Sequence, residues 1–424
     1  MKKFMLTLSG FVGLCCTFIF QGCLKDSVTK TYRYTYYLPV YKTTQEVRND
    51  IKSRPAQAVE RPGKIYIKGQ YIFLNDIDKG IHVIDNSNPS QPQQIAFIDI
   101  PGNMDLAVKG DILYADLYTD LVAIDISNPR NVVLKKVIES VFPHRYYTTG
   151  FIPDSNKVIA SWEKRDTTVT EKISMNRWLK SANVYMDYTA FPNTLSSSAS
   201  GKSGSPYGVG GSTAKFAIVN QRLYTVGQFD LSVFNISTMG NPSLVNHKDI
   251  GWNIETIYPF MDKLFIGSQT GMFVYDISSA DNPVQVGQFA HISSCDPVIS
   301  DGQFAYVTLH TGTICAQNTN ELDVLKLNNL LNPSLVKTYA MTNPQGLSKD
   351  GSTLFVCDGK EGLKIYDAND VTNLHLMSTV NTSEAYDVVA FNNHALVVAK
   401  DGLYQYDCSD LHNVRLLSKI NLQN

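Results

Sequence analysis

One strand pattern recurs along this chain, and its spacing constrains the fold more than any other feature. Gly80-Ile81-His82-Val83-Ile84-Asp85 leads into Asn86-Ser87-Asn88-Pro89, and Asp120-Leu121-Val122-Ala123-Ile124-Asp125 leads into Ile126-Ser127-Asn128-Pro129. Further copies end at Asn235, Asp276, Lys326, Asp367 and Asp407, so the seven anchors are 40, 110, 41, 50, 41 and 40 residues apart. A period near 40 built from short alternating strands is that of a propeller blade. The first unit reads as four strands, over 64–68, 71–75, 81–85 and 94–98. The β-branched, alternating content suits strands packed face to face with the next unit. The expected fold is therefore all-β, a β-propeller of four-stranded blades.

The interval of 110 is long enough for a hidden unit and an insertion. Residues 150–153 and 157–162 match the first two strands of a unit, which makes eight blades the favoured number. Seven blades, with that segment as an insertion, is the alternative. Residues 163–213 form the inserted stretch, Ser/Gly-rich over 196–212 and loop-like by composition.

With 424 residues, 43% hydrophobic and 18% charged, the chain can bury a large core and does not read as disordered. Its formal net charge of −2 lacks the basic excess of a nucleic-acid binder, so no nucleic-acid partner is expected. There is no GxSxG, HExxH, P-loop or Rossmann glycine fingerprint. The eight histidines are scattered without ligand spacing.

The N-terminus reads as an address. Lys2 and Lys3 precede an uncharged apolar run from Phe4 to Phe20. The run is near the lower limit for spanning a bilayer, so an uncleaved anchor and an ordinary signal peptide both remain open. Phe20-Gln21-Gly22-Cys23 resembles the lipobox of bacterial lipoproteins. The resemblance implies cleavage before Cys23, a diacylglycerol on its thiol and an acyl chain such as palmitate on its amine. On that reading 1–22 is a lipoprotein signal peptide, 23–61 a lipidated tether and 62–424 the propeller. Loss of Lys2 and Lys3 with the signal deepens the charge from −2 to −4. Leu24 is not the Asp that resembles an inner-membrane retention signal, which implies outer-membrane placement. Lys25-Asp26 is similar to the charged export tag of some bacterial lipoproteins and implies surface exposure.

Leu121-Val122-Ala123-Ile124-Asp125 and Leu231-Ser232-Val233-Phe234-Asn235 resemble the signature strand of the LVIVD-repeat family, and Gly80 to Asp85 follows the same pattern. The resemblance runs from about Pro62 to the C-terminus. It implies a β-propeller, and secreted or lipid-anchored placement in bacteria. It carries no catalytic residues with it. Asn235 and Lys326 depart from the repeat aspartate. A turn-capping role explains these aspartates, because Asp and Asn bond the backbone two residues on.

At the start of successive first strands stand Lys64, Asp105, Thr149, Lys215, Glu255, Asp296, Gln345 and Asp387. First strands are innermost in a propeller, so these positions are expected at one mouth of the central channel. Asp105, Glu255, Asp296 and Asp387 could bind a hard cation such as Ca²⁺, or a cationic ligand group. Simple solvation of the channel is the competing account. Tyr32, Tyr34, Tyr36, Tyr37 and Tyr41 could stack on carbohydrate or pack as an added strand. Trp162, Trp252, Tyr146 and Tyr147 are further candidates for a binding surface. Of the cysteines, Cys295 and Cys315 are expected to form a disulfide in an oxidising compartment, closing a loop of about 20 residues worth about 3 kcal/mol. Cys357 and Cys408 read as buried small hydrophobes.

These features favour a cell-envelope lipoprotein whose propeller is a non-enzymatic binding or scaffold module for a protein or glycan. The alternative is a metal-assisted hydrolase or lyase at the acidic channel mouth.

Overall fold

The computed structural model describes residues 27–143, 156–174, 209–290, 297–311 and 319–422. They fall into two compact units, one holding the described residues of 42–158 and 209–422 and the other residues 27–41 and 159–174.

The larger unit is a ring of seven four-stranded antiparallel blades. They span residues 62–99, 106–138, 216–249, 254–290, 298–340, 347–380 and 385–421, here blades 1 to 7. Seven replaces the favoured eight. The segment expected to open an eighth blade forms one 18-residue strand, Lys157–Ser174, which pairs with Ser27–Thr43 in a separate two-stranded sheet. The physical reason is composition: from Glu163 to Thr170 every residue but Val169 is charged or Thr, all are exposed, and the strand offers no apolar face to pack between blades. The expected strand at 150–153 lies outside the described residues. Blade 3 packs directly on blade 2, and the first strands of successive blades pack on one another around the ring.

Each blade is continuous in sequence, first strand innermost, fourth strand outermost. The ring closes by apolar packing. Ile65, Ile67, Ile72 and Leu74 of blade 1 share one core with Val389, Leu396, Val398 and Leu403 of blade 7. Closure is reinforced at the termini, where Val59 bridges Leu422 in parallel.

Every blade carries one extra residue where its fourth strand pairs with its third, at Ile95, Lys135, Val245, Val286, Val336, Met377 and Leu417. Such a bulge bends the strand and increases its twist. The third strands of blades 1 and 4 open on glycine for a steric reason. Gly80 and Gly271 have φ of 150° and 152°, and a Cβ there would sit 2.0 Å from the Ile98 carbonyl oxygen or 2.3 Å from that of Phe289.

The segment expected to be a tether is partly built into the ring. Helix Thr44–Asn49 starts with a capping box in which Thr43 accepts from the Glu46 amide and Glu46 from the Thr43 amide. Its Val47 is buried in the core of blades 1 and 2. Arg48 pairs with Asp120 at 2.6 Å and Glu139 at 2.8 Å. Strand Lys52–Arg54 then covers the outer edge of blade 1.

In the smaller unit, Ser27–Thr43 and Lys157–Ser174 are tied by Thr35 and Arg33 to Asp166 at 2.6 and 3.2 Å. The tyrosine-rich stretch is thus an added strand, with Tyr34, Tyr36, Tyr37 and Tyr41 all exposed.

Candidate functional site

The repeat aspartates close the turn that follows the third strand. Asp85 accepts from the Ser87 amide at 2.9 Å, and Asp125 from the Ser127 amide at 3.0 Å and hydroxyl at 2.7 Å. Asn235, Asp276, Asp367 and Asp407 do the same for residues 237, 278, 369 and 409. Lys326 has no acceptor to offer; its loop keeps only the bond three residues on, from the Leu331 amide to Asn329, which blades 1, 2, 6 and 7 make as well at Asn88, Asn128, Asp370 and Asp410. Hydrogen bonds from Ser127, then Lys135, hold the Asp125 carboxyl down at about 2, and those from Ser278 and Lys263 do so for Asp276. Ser409 and Arg415 lower Asp407 further.

The inner first strands bring part of the channel-mouth set together. Asp105, Lys215, Glu255 and Asp387 lie close enough to Lys64 to act on it electrostatically. Asp105 and Asp387 are buried. Gln345 is also buried and bonds Asn343 at 3.2 Å. Asp296 and Thr149 lie outside the described residues, as do Cys23, Cys295, Cys315, Tyr146 and Tyr147. Desolvation pushes the Lys64 ammonium well below its usual range, against the pull of Asp105. It raises the Asp105 carboxyl, against Lys64 and the Lys215 and Leu106 amides.

A strap from the insertion crosses this mouth. Val209–Gly210 adds an antiparallel strand inside blade 1, opposite Ile67 and Tyr66. Ser212 and Thr213 are fully buried. Lys64 Nζ donates to the Thr213 carbonyl at 2.6 Å and hydroxyl at 2.7 Å. The Ile257 amide of blade 4 donates to the Ala214 carbonyl at 2.8 Å, and the Leu347 amide of blade 6 to Ser212 Oγ at 3.1 Å. Asp105 of blade 2 accepts the Lys215 amide. Seven residues thus link blades 1, 2, 4 and 6. Among the described residues, no group of three or more His, Cys, Asp or Glu side chains is placed to hold a metal ion.

Sequence reasoning missed the strap, whose only signal is Gly210-Gly211-Ser212-Thr213 at the end of a loop-like stretch. It also missed three buried carboxylates at the ends of second strands. Asp76 accepts the Glu60 and Arg61 amides at 2.9 and 3.0 Å, and His82 lies 3.2 Å away. Asp116 accepts the Met104 and Asp105 amides, each at 2.8 Å. Asp358 accepts the Thr342 and Asn343 amides at 3.0 and 2.7 Å and pairs with Lys364. Each clasps the loop entering its own blade. The available signal was an Asp nine positions before the repeat aspartates 85, 125 and 367.

Burial raises the Cys357 thiol well above its usual range and pushes Cys408 up to about 12, so both are packed, unreactive thiols. Trp252 is 73% exposed and meets Phe229 edge-on.

The LVIVD repeat matches residues 63–97 and 102–139, which cover blades 1 and 2. No curated protein matches the chain. Among solved structures, it is similar to the computationally designed Ika8 protein (TM-score 0.51, 10% identity, covering 88% of this chain and 92% of that one). Sqt1 of Saccharomyces cerevisiae gives TM-score 0.51 at 7% identity, with 88% of each chain covered. A protein from Lactobacillus plantarum gives 0.50 at 12% identity, over 85% of this chain and 96% of that one. At such identities the likeness speaks for the fold alone. Repeat, strand order and ring agree: the chain carries two matched LVIVD repeats within a seven-bladed β-propeller.

Proposed function

We propose that this chain is a cell-envelope lipoprotein, anchored through Cys23 in the outer membrane, whose propeller is a non-enzymatic binding or scaffold module for a protein or glycan. The observation that carries the reading is the strap. Two charged groups at the channel mouth that could have served a reaction, Lys64 and Asp105, are engaged by Thr213 and the Lys215 amide of the same chain. What faces outward is the ring of inter-strand loops, with exposed aromatics such as Trp252.

Metabolic labelling with palmitate followed by membrane fractionation tests the anchor. Label and membrane association should both be lost in Cys23→Ser; a variant still labelled and membrane-bound overturns it. In-cell photo-crosslinking from position 252 tests the module. A discrete crosslinked species that Trp252→Ala competes away poorly supports a partner at that face, and its absence from every loop position tried counts against the reading.

A second reading, a metal-assisted hydrolase or lyase, draws on the convergence of Asp105, Glu255 and Asp387 around Lys64. It requires the strap to leave. Metal analysis of the purified protein, with thermal shifts in Ca²⁺ and Mg²⁺, decides it: no bound ion and no shift would sink it.

A further inference from the structure

The seven junctions between blades are built alike, except one. The residue after each repeat anchor donates its amide to the hairpin between the first and second strands of its blade, so the positions 86, 126, 236, 277, 327, 368 and 408 are equivalent. Six are apolar and buried: Ile126, Ile236, Ile277, Leu327, Ala368 and Cys408. Each shares a core with the residue two before the anchor of the preceding blade. The pairs are Ile126 with Val83, Ile236 with Ala123, Ile277 with Val233, Leu327 with Val274, Ala368 with Val324, and Cys408 with Ile365. Where blade 7 meets blade 1, both members are amides, Gln405 and Asn86, bonded Nε2 to Oδ1 at 2.7 Å.

Beside this pair lies a cavity of about 200 Å³. Gln405 is only 2% exposed, yet among the described residues no protein donor reaches its Oε1. Asn86 likewise has no protein acceptor there for its Nδ2. His394, whose Nδ1 is engaged by the Asn392 carbonyl at 2.9 Å, also lines the space. The rings of Tyr71 and Phe391 and the side chains of Ile72 and Leu396 supply apolar walls, and no charged side chain lines the space. Gln70 and Asn392 at its edge are exposed, so it is reached from solvent.

We propose that this junction binds one neutral sugar ring. A sugar presents an apolar C–H face to aromatic rings and paired hydroxyls that both donate and accept, which is what an amide pair offers. An ion would enter a partly dehydrated space with no counter-charge. A purely apolar ligand would bury Gln405 Oε1 without a partner. The volume is below the range of drug-sized sites, so the occupant is one ring and not a chain. The site is remote in kind from the strapped channel mouth. It rests on the propeller being a binding module, but its failure would leave the envelope anchoring and the protein partner of the proposed function standing.

The test is saturation-transfer NMR on the purified protein with glucose, galactose, mannose and N-acetylglucosamine, and with glucuronate and glucosamine as charged controls. At least one neutral sugar should bind saturably in the millimolar range or tighter, and the charged controls more weakly. The double variant Asn86→Ile, Gln405→Val installs what the other six junctions carry, and should lose about tenfold or more in affinity while keeping its melting temperature. Asn86→Ala, at a half-buried position, serves if the double variant does not fold. Free sugars compared with the same residues at the end of oligosaccharides separate a monosaccharide site from a glycan terminus. No saturable binding by the wild type, or binding unchanged in the variants, overturns the proposal.

Discussion

Lys64 and Thr213, 149 positions apart, are joined by two hydrogen bonds from one ammonium, to the Thr213 carbonyl at 2.6 Å and its hydroxyl at 2.7 Å. A residue of the first blade therefore holds down the end of the long insertion. Thr213→Val removes the hydroxyl and keeps the carbonyl. The expected cost is about 1 kcal/mol, read by urea unfolding. Amide exchange over 209–215 should quicken more than elsewhere. Uniform quickening across all blades would show that the strap is not a local closure.

Asp116 accepts two backbone amides and the Asn103 side chain at 2.8 Å each, in a buried place. Asp116→Ala leaves those donors dry and should cost about 2–3 kcal/mol. Asp125→Ala frees donors that water can reach, and should cost less than about 1 kcal/mol. Equal losses in chemical denaturation would contradict this assignment of buried and exposed carboxylates.

Acid should act on the turn aspartates. The folded state holds Asp125 and Asp276 at about 2, below the ordinary range. Their contribution is present above the unfolded value and is lost as pH falls from about 4 through about 2. The melting temperature should drop across that window, and less steeply in Ser127→Ala with Ser278→Ala. Asp105 has the opposite sign. Its raised pKa favours the protonated folded form, so its contribution is full at low pH and fades as pH rises through the folded value. Asp105→Asn should therefore remove the fall in stability that this group contributes as pH rises from acid to neutral; an unchanged profile would refute the buried placement.

Gly80→Ala should cost more than about 2 kcal/mol, because its Cβ would collide with the Ile98 carbonyl oxygen at 2.0 Å. Gly69→Ala is the control, with φ of 57° and no atom within 4 Å of the new Cβ. It should cost about 1–2 kcal/mol. Thermal melts of the two should differ visibly.

The blades were legible because each buries its strands in the same way, so selection for packing writes a period into the sequence. The anchor at Asp85 or Asp407 marks a turn whose chemistry is local and complete within three residues. The eighth unit misled because residues 157–162 share β-branched content with a second strand, while the polar run after Trp162 decides against a blade. The inward positions Lys64, Asp105, Lys215, Glu255 and Asp387 could be placed by counting from the period. The bonds of Lys64 to Thr213 and of the Leu347 amide to Ser212 could not, since a strap crossing between blades leaves no periodic trace. The amide pair Asn86 and Gln405 was hidden for the opposite reason, being two exceptions within a regular pattern and 319 residues apart.

No blade here borrows a strand from the other end of the chain; all seven are cut from consecutive sequence, and the seam is side-chain packing of blade 1 on blade 7. The ring therefore has a start only by convention of its gene. Joined at 59 and 422, where the backbone already bridges, and opened at the turn between any other two blades, the same sequence would meet the same neighbours in the same cyclic order.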